Sequence, residues 1–284
     1  MTRVLALTST LALLLAAPAL AGAPQGALRV TVSSLKPAQG SALLVRCVSP
    51  APVTVTFCGR VFRAYAVAGG AQAALVGVDL ELEPGPRELV VTAAGPAPVE
   101  QRLSLTVIPG KFRVQRLKVP EKMVNPDPAA LARIEREQAE LDRIFKQVTP
   151  KLFSGPFLRP VPGEETAAFG GRRVFNGVPK SPHSGTDMHA AAGTPIKAPA
   201  RGRVVLVADH YFTGNTVVLD HGLGVFTQYA HLSAFTVLED QLVKPGDVIG
   251  KVGATGRVTG PHLHWAAKIS GARVNPVDLT RLEL

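Results

Sequence analysis

The sequence predicts a mainly β protein with two β domains joined by a helical segment. Between Leu28 and Ile108, short runs of alternating apolar and polar residues are separated by proline and glycine, which is typical of half-buried antiparallel strands. Asp127 is followed by apolar residues at helical spacing as far as Val148. From Gly202 onward, short apolar runs return with glycine turns between them.

A chain of 284 residues is longer than one average domain, and we divide it into four parts. Residues 1–23 are expected to be a signal peptide and residues 24–110 a β-sandwich of immunoglobulin-like kind. Residues 111–150 are expected to be a linker with one amphipathic helix, and residues 151–284 an almost all-β domain.

The N-terminal segment has the pattern of a secretory signal. A basic Arg3 precedes an apolar run from Val4 to Ala17, and small residues follow with cleavage expected near Ala21 or Ala23. The run is shorter than the ~20 residues that span a bilayer, so an uncleaved anchor is the weaker alternative. We expect a secreted, periplasmic or cell-envelope protein with no stable membrane insertion after the signal is removed.

The sandwich is predicted from period-two patterns. One face of a strand carries Val53, Val55 and Phe57. A second run places apolar residues on one face and Asp79 and Glu81 on the other; its apolar residues are Val76, Val78, Leu80 and Leu82. Nothing in this domain points to catalysis, and its expected role is positioning, binding or covering the second domain, with a simple spacer as the alternative.

Cys47 and Cys58 are the only cysteines. In an oxidising compartment they could pair across a hairpin whose turn lies near residues 49–52. We expect this disulfide, and the alternative is two free, partly buried thiols.

The linker helix is predicted to start at Asp127, with Pro128 at its first position. The apolar residues that follow at helical spacing are Leu131, Ile134, Leu141, Ile144 and Val148. This stripe is expected to dock on a neighbouring surface. An ordered linker of this kind suggests that the sandwich and helix restrict access to the second domain.

All seven histidines lie between His183 and His264. Three short segments hold the candidates for chemistry, with the sequences HSGTD (183–187), YAHLS (229–233) and GPHLH (260–264). On a strand, His262 and His264 would project from one face about 7 Å apart, and His183 and Asp187 would also share a face.

Five candidate groups are therefore available: His183, Asp187, His231, His262 and His264. Catalytic zinc takes three protein ligands from His and Asp or Glu. The two remaining imidazoles could act as general base and as oxyanion donor. The spacing alone does not say which three would bind, and ordinary core or surface histidines are the alternative. His189, His210 and His221 are expected to be structural or surface residues.

These motifs, together with the segment TGRVTGPHLHW (255–265), resemble the lysostaphin-type (LytM-like) zinc metallopeptidases, which cut peptide cross-links of bacterial cell walls. The resemblance covers about residues 150–280. It implies the duplicated hybrid β fold of that family and one zinc ion per chain. It assigns the metal to His183, Asp187 and His264, and catalytic roles to His231 and His262.

One departure from the family pattern follows the last motif. Trp265 and Ala266 stand where an aromatic and an acidic residue are common, which affects packing and leaves the ligand set unchanged.

Lysine and arginine exceed aspartate and glutamate by ten, which favours an anionic partner. Nucleic acid is not expected, because no basic run with interleaved aromatics is present and export is predicted. We therefore expect a zinc endopeptidase acting on peptidoglycan peptides. One alternative is a catalytically inactive member of the same fold that binds wall or activates an amidase, and another is a wall-binding adhesin led by the sandwich. Asn176, just before the first motif, is placed where it could cover the metal.

Overall fold

The computed structural model describes residues 28–118 and 125–284, so the expected signal peptide lies outside the described residues. The described part is mainly β and contains one α-helix. In this part of the chain, no helix is both long and apolar enough to cross a membrane.

The N-terminal unit consists of two four-stranded antiparallel sheets. Their orders are β1-β2-β6-β5 and β4-β3-β7-β8, which match the ABED and C′CFG orders of an immunoglobulin-type sandwich. The strands are β1 (Arg29–Val32), β2 (Ala42–Val48), β3 (Val53–Phe57), β4 (Arg60–Arg63), β5 (Tyr65–Ala66), β6 (Gln72–Gly77), β7 (Gly85–Ala93) and β8 (Val99–Val107).

The predicted disulfide is wrong, because both cysteines are free. Cys47 is buried in β2, and burial raises the pKa of its thiol to about 11. Cys58 is exposed in the two-residue turn between β3 and β4, where it and Gly59 both have positive φ. Strands β2 and β3 belong to different sheets, so residues 49–52 connect the two layers and do not form a hairpin.

The linker contains a helix as predicted, and also a strand that was not predicted. Helix α1 (Pro128–Phe145) starts with Asp127 as its N-cap, whose Oδ1 accepts a hydrogen bond from the Ala130 N–H at 2.8 Å. The helix ends before Val148, which is exposed. Residues Val114–Leu117 form β9, so the linker is not purely helical.

The C-terminal unit is built on one ten-stranded sheet with the main order β10-β13-β20-β17-β16-β15-β18. A separate three-stranded sheet has the order β12-β11-β9. The strands are β10 (Glu165–Ala167), β11 (Arg172–Phe175), β12 (Val178–Pro179), β13 (Gly185–Met188), β14 (Pro195–Lys197), β15 (Gly202–His210), β16 (Gly214–Asp220), β17 (Val225–Phe235), β18 (Leu242–Val243), β19 (Val248–Val252), β20 (Leu263–Ile269) and β21 (Ala272–Val274).

The hydrophobic core of the sandwich continues into the C-terminal unit. One cluster of buried side chains includes Val45, Phe57 and Val91 from the sandwich and reaches residues beyond position 150. The C-terminal members are Phe153, Phe157, Ala200, Val225, Ala267, Ile269, Ala272, Val274 and Leu279. The two halves therefore share apolar surface, and the β20 side chains in it are the odd-numbered ones.

Polar contacts reinforce this junction. Arg273 on β21 bonds Asp79 Oδ1 at 2.7 Å and Glu81 Oε2 at 2.8 Å. The alternating apolar run continues in the sequence to Leu82, but strand β6 ends at Gly77. Asp79 and Glu81, which follow the strand, pair with Arg273 of the C-terminal unit. A Cβ on Gly77 would lie 2.7 Å from Ala272 Cβ, so the two backbones can approach here because position 77 has no side chain.

Candidate metal centre

Strand register brings three of the sequence candidates together. Asp187 on β13 lies opposite His264 on β20. Directly opposed residues of an antiparallel pair share a face, so both side chains project to the same side of the sheet. His183 lies just before β13 and joins them, and all three side chains are largely withdrawn from solvent.

Their ligand atoms form a compact triangle. His183 Nε2 and His264 Nδ1 are 2.9 Å apart, and they lie 2.9 and 2.8 Å from Asp187 Oδ1. Tetrahedral zinc with bonds of about 2.0–2.1 Å would hold such atoms about 3.3 Å apart. A small adjustment would therefore admit the ion, and two imidazoles with one carboxylate are a donor set that catalytic zinc takes.

A backbone carbonyl orients His183 toward the triangle. Its Nδ1 lies 3.2 Å from the Ala168 oxygen, which can only accept a hydrogen bond. Nδ1 therefore carries the proton, and Nε2 presents its lone pair to the metal position. Burial, followed by the charge of His264, lowers the pKa of His183 to about 4, which keeps the imidazole in its metal-binding neutral form.

Asp187 is held as a carboxylate by its neighbours. Burial alone would raise its pKa, but hydrogen bonds with His183 and His264 outweigh this and hold the pKa well below its usual range. Its second oxygen, Oδ2, accepts a hydrogen bond from Arg173 on β11 at 3.2 Å. Arg173 was not predictable from the sequence, because β11 has four residues and no pattern links it to the metal motif.

His231 and His262 form a second pair beside the triangle, with ring centroids 4.9 Å apart. His231 Nδ1 lies 2.9 Å from the Thr255 oxygen, and His262 Nδ1 lies 2.9 Å from the Gly260 oxygen. Both Nδ1 atoms are therefore hydrogen-bond donors, and both Nε2 atoms carry lone pairs. His262 Nε2 is 3.8 Å from Asp187 Oδ1, which places it at the edge of the metal position.

Both the backbone conformation and the burial of His231 are energetically unfavourable for a histidine. It lies on β17 with φ of 66°, a region that non-glycine residues rarely adopt. Burial, followed by the charge of His264, lowers its pKa to about 3. Strain and desolvation of this kind concentrate at functional sites.

Gly185, the glycine of the first motif, lies against the ring of His264. A Cβ there would lie 2.6 Å from His264 Cε1 and 2.6 Å from the Trp265 carbonyl oxygen. The motif therefore needs glycine so that β13 can approach the ligand on β20.

The other three histidines lie outside the cluster. His221 is fully buried, with its ring nitrogens 2.9 Å from the Arg201 oxygen and 2.7 Å from Thr227 Oγ1. His210 is buried and His189 is exposed. Asn176 is exposed in the turn between β11 and β12 with φ of 51°. On the same hairpin, Arg173 reaches the candidate metal ligand Asp187.

Comparison with known proteins relates the chain to one family. Residues 181–276 match the profile of Peptidase family M23. A crystal structure from Pseudomonas aeruginosa assigned to peptidase M23 is 36% identical, covers 86% of this chain and 95% of its own, and superposes with a TM-score of 0.69.

Two curated relatives match over shorter segments. DD-carboxypeptidase/endopeptidase Mpg of Neisseria meningitidis serogroup B is 50% identical over 97 residues, which is 34% of this chain and 22% of the relative. Peptidoglycan DD-endopeptidase ShyA of Vibrio cholerae serotype O1 is 45% identical over 95 residues, which is 34% of this chain and 22% of the relative. The matched segment thus spans about a fifth of the length of these relatives.

Proposed function

The chain belongs to peptidase family M23, and from that premise we propose that it is a secreted zinc metalloendopeptidase that hydrolyses peptide cross-links of bacterial peptidoglycan. The observation that carries the proposal is the convergence of His183, Asp187 and His264 on one point, with the Nε2 lone pairs of His231 and His262 beside it. The similarity to a peptidoglycan DD-endopeptidase supports the substrate class.

His183, Asp187 and His264 would hold the zinc. The ion supplies Lewis acidity, which brings the ionisation of water toward neutral pH and polarises a carbonyl group. Arg173 would hold Asp187 in its orientation through Oδ2, because Oδ1 is the oxygen directed at the two ligand imidazoles.

His231 and His262 would perform the proton transfers. The carbonyls of Thr255 and Gly260 fix each ring with Nε2 as its basic atom, so either imidazole can take a proton from the attacking water. Once protonated, the same nitrogen is a donor that can pass the proton to the departing amine. The second imidazole would stabilise the developing oxyanion when its Nε2 is also protonated, because only then can that nitrogen donate a hydrogen bond.

The rival within the fold is an inactive member that binds wall or activates an amidase. Loss of a ligand or catalytic position would mark such a protein. All five positions are filled and brought together here, which favours an active peptidase.

The test is digestion of purified sacculi followed by mass spectrometry of the released muropeptides. The expected products carry new peptide termini at former cross-links, release stops after chelation, and zinc restores it. Release of glycan strands without peptide, together with peptides that are still cross-linked to each other, would contradict the proposal. Full activity after verified zinc removal would also contradict it.

A further inference from the structure

The sheet face that carries the metal cluster continues along β20 beyond it. Side chains two residues apart share a face of a strand, so His264, Ala266 and Lys268 project to the same side. On β17, Gln228 lies opposite Ala266, and Phe226 lies opposite Lys268. With a rise of about 3.4 Å per residue, this strip runs about 14 Å from the backbone of the metal ligand.

The strip ends in a small pocket beside α1. It lies where the partner of β20 changes, since Gly185 of β13 is opposite Ala266 and Val274 of β21 is opposite Ala267. Phe145 at the end of α1 packs edge-on against Phe226, with ring centroids 5.5 Å apart, and both side chains line the pocket. The pocket lining includes Phe145, Ser184, Phe226, Gln228, Lys268 and Arg273.

Lys268 is the charged residue that this pocket leaves open to a ligand. Its Nζ lies 4.1 Å from the centre of the Phe145 ring, and the residue is half-buried. In the described part of the chain it has no carboxylate within the 4.0 Å of an ion pair. Burial lowers its pKa, and Asp142 and Asp79 raise it only through longer-range attraction.

Arg273, the other cation of the pocket, is already neutralised. It lies opposite Lys268 on β21, so it faces the same side of the sheet. Its guanidinium bonds Asp79 and Glu81 of the sandwich. Of these two cations, Lys268 is the one without a carboxylate partner among the described residues, and its Nζ lies over the Phe145 ring.

We propose that Lys268 forms a carboxylate-binding subsite for the substrate peptide, at the end of the strip of side chains that starts at the metal cluster. This proposal rests on the proposed peptidase function and adds a specificity determinant to it. A peptide lying along the strip with its scissile bond at the metal would place a carboxyl group two to four residues away near Lys268 Nζ. Ser184 and Gln228 line the pocket and can add hydrogen bonds to the bound carboxylate.

The test compares two substrates and three variants. Soluble cross-linked muropeptide dimers are prepared in native form and with their carboxyl groups converted to amides by carbodiimide coupling with ammonia. Wild-type protein should show kcat/KM about tenfold higher on the native dimer, as expected for one charge-assisted contact. Lys268→Met should lose this preference by slowing on the native dimer alone, and Lys268→Arg should keep part of it.

Lys244→Met is the matched control, because Lys244 is exposed in a turn before β19. It should keep the wild-type preference. Zinc content and Tm are measured for every variant. Equal wild-type rates on both dimers, or an equal loss on both dimers in Lys268→Met, would overturn the subsite and leave the peptidase function standing. No cleavage of either dimer by the zinc-loaded wild type would overturn both.

Discussion

Gly185 affects the metal centre because the absence of a side chain lets β13 lie close to His264 on β20. Because a Cβ at this position would lie 2.6 Å from the His264 ring and from the Trp265 oxygen, Gly185→Ala must displace the ligand or separate β13 from β20. We expect weaker zinc binding and a matching loss of activity, measured by titration with a competing chelator. Gly95→Ala is the control, since its added Cβ meets nothing closer than 3.7 Å. Unchanged zinc affinity in Gly185→Ala would contradict this role.

His221 is expected to make stability depend on pH. Burial lowers its pKa to about 4, partly offset by its hydrogen bond to Arg201, whereas an unfolded chain binds this proton near pH 6.5. Between pH 6.5 and 4 the unfolded state therefore holds more protons, and the free energy of unfolding falls as pH falls. The full effect is on the order of 3 kcal/mol.

Urea unfolding of wild type and His221→Gln at pH 7 and pH 4.5 measures this contribution. The variant is less stable at pH 7 because it loses the contacts with Arg201 and Thr227. The difference in the free energy of unfolding between wild type and His221→Gln should be smaller at pH 4.5. A constant difference at the two pH values would show that His221 does not carry the dependence.

At the scale of single elements, the N-cap of α1 can be tested directly. Asp127 Oδ1 accepts the Ala130 N–H, which would otherwise lack a partner at the helix start. Asp127→Ala should lower the free energy of unfolding by about 1 kcal/mol. Glu135→Ala, at an exposed position within the same helix, serves as the control and should change it by less than about half of that. Equal values for the two variants in urea unfolding would argue against the cap.

Elements with strong local signals were predictable from the sequence. The Asp-Pro start located α1 to the residue, and Val53, Val55 and Phe57 are all buried on β3 as expected. Strand β9 was not predictable, because it exists through parallel pairing with residues 172–175, far along the chain. A four-residue strand carries too little periodicity to be recognised alone.

At the scale of the whole molecule, the shared core is expected to make the two units unfold together. Phe153 and Phe157 are at most 2% exposed, and their cluster includes Phe57 and Val91 of the sandwich. We therefore expect a single calorimetric unfolding transition, with equal calorimetric and van't Hoff enthalpies. Two separated transitions would show that the units fold independently.

The shared core also affects how one can test the prediction that the sandwich and helix restrict access to the cleft. A fragment beginning near Lys151 would expose Phe153 and Phe157, so its activity reports on folding as well as on access. The sandwich packs on the odd-numbered side chains of β20, whereas His264 is on the other face.

The convergence of the candidate side chains was more predictable than the junction between the units. His183, Asp187 and the H-x-H pair are separated by short spacings that fix a shared face on extended chain. The contact of Arg273 with Asp79 joins residues almost 200 positions apart, and the alternating pattern around Asp79 pointed to a solvent-facing residue. The missed cysteine arrangement has the same origin, since the assignment of β2 and β3 to different sheets is a tertiary property.

We propose that the five residues of the site divide into metal ligands and catalysts. The most direct measurement is zinc per chain by elemental analysis, together with turnover on sacculi, for alanine variants of all five. His183→Ala, Asp187→Ala and His264→Ala should lose both zinc and activity, because each removes one of three protein ligands.

His231→Ala and His262→Ala should keep about one zinc per chain while turnover falls by ~10²–10⁴, since only a proton-transfer or oxyanion-stabilising group is removed. Loss of zinc from His231→Ala, or retention of both zinc and activity in His264→Ala, would contradict the assignment.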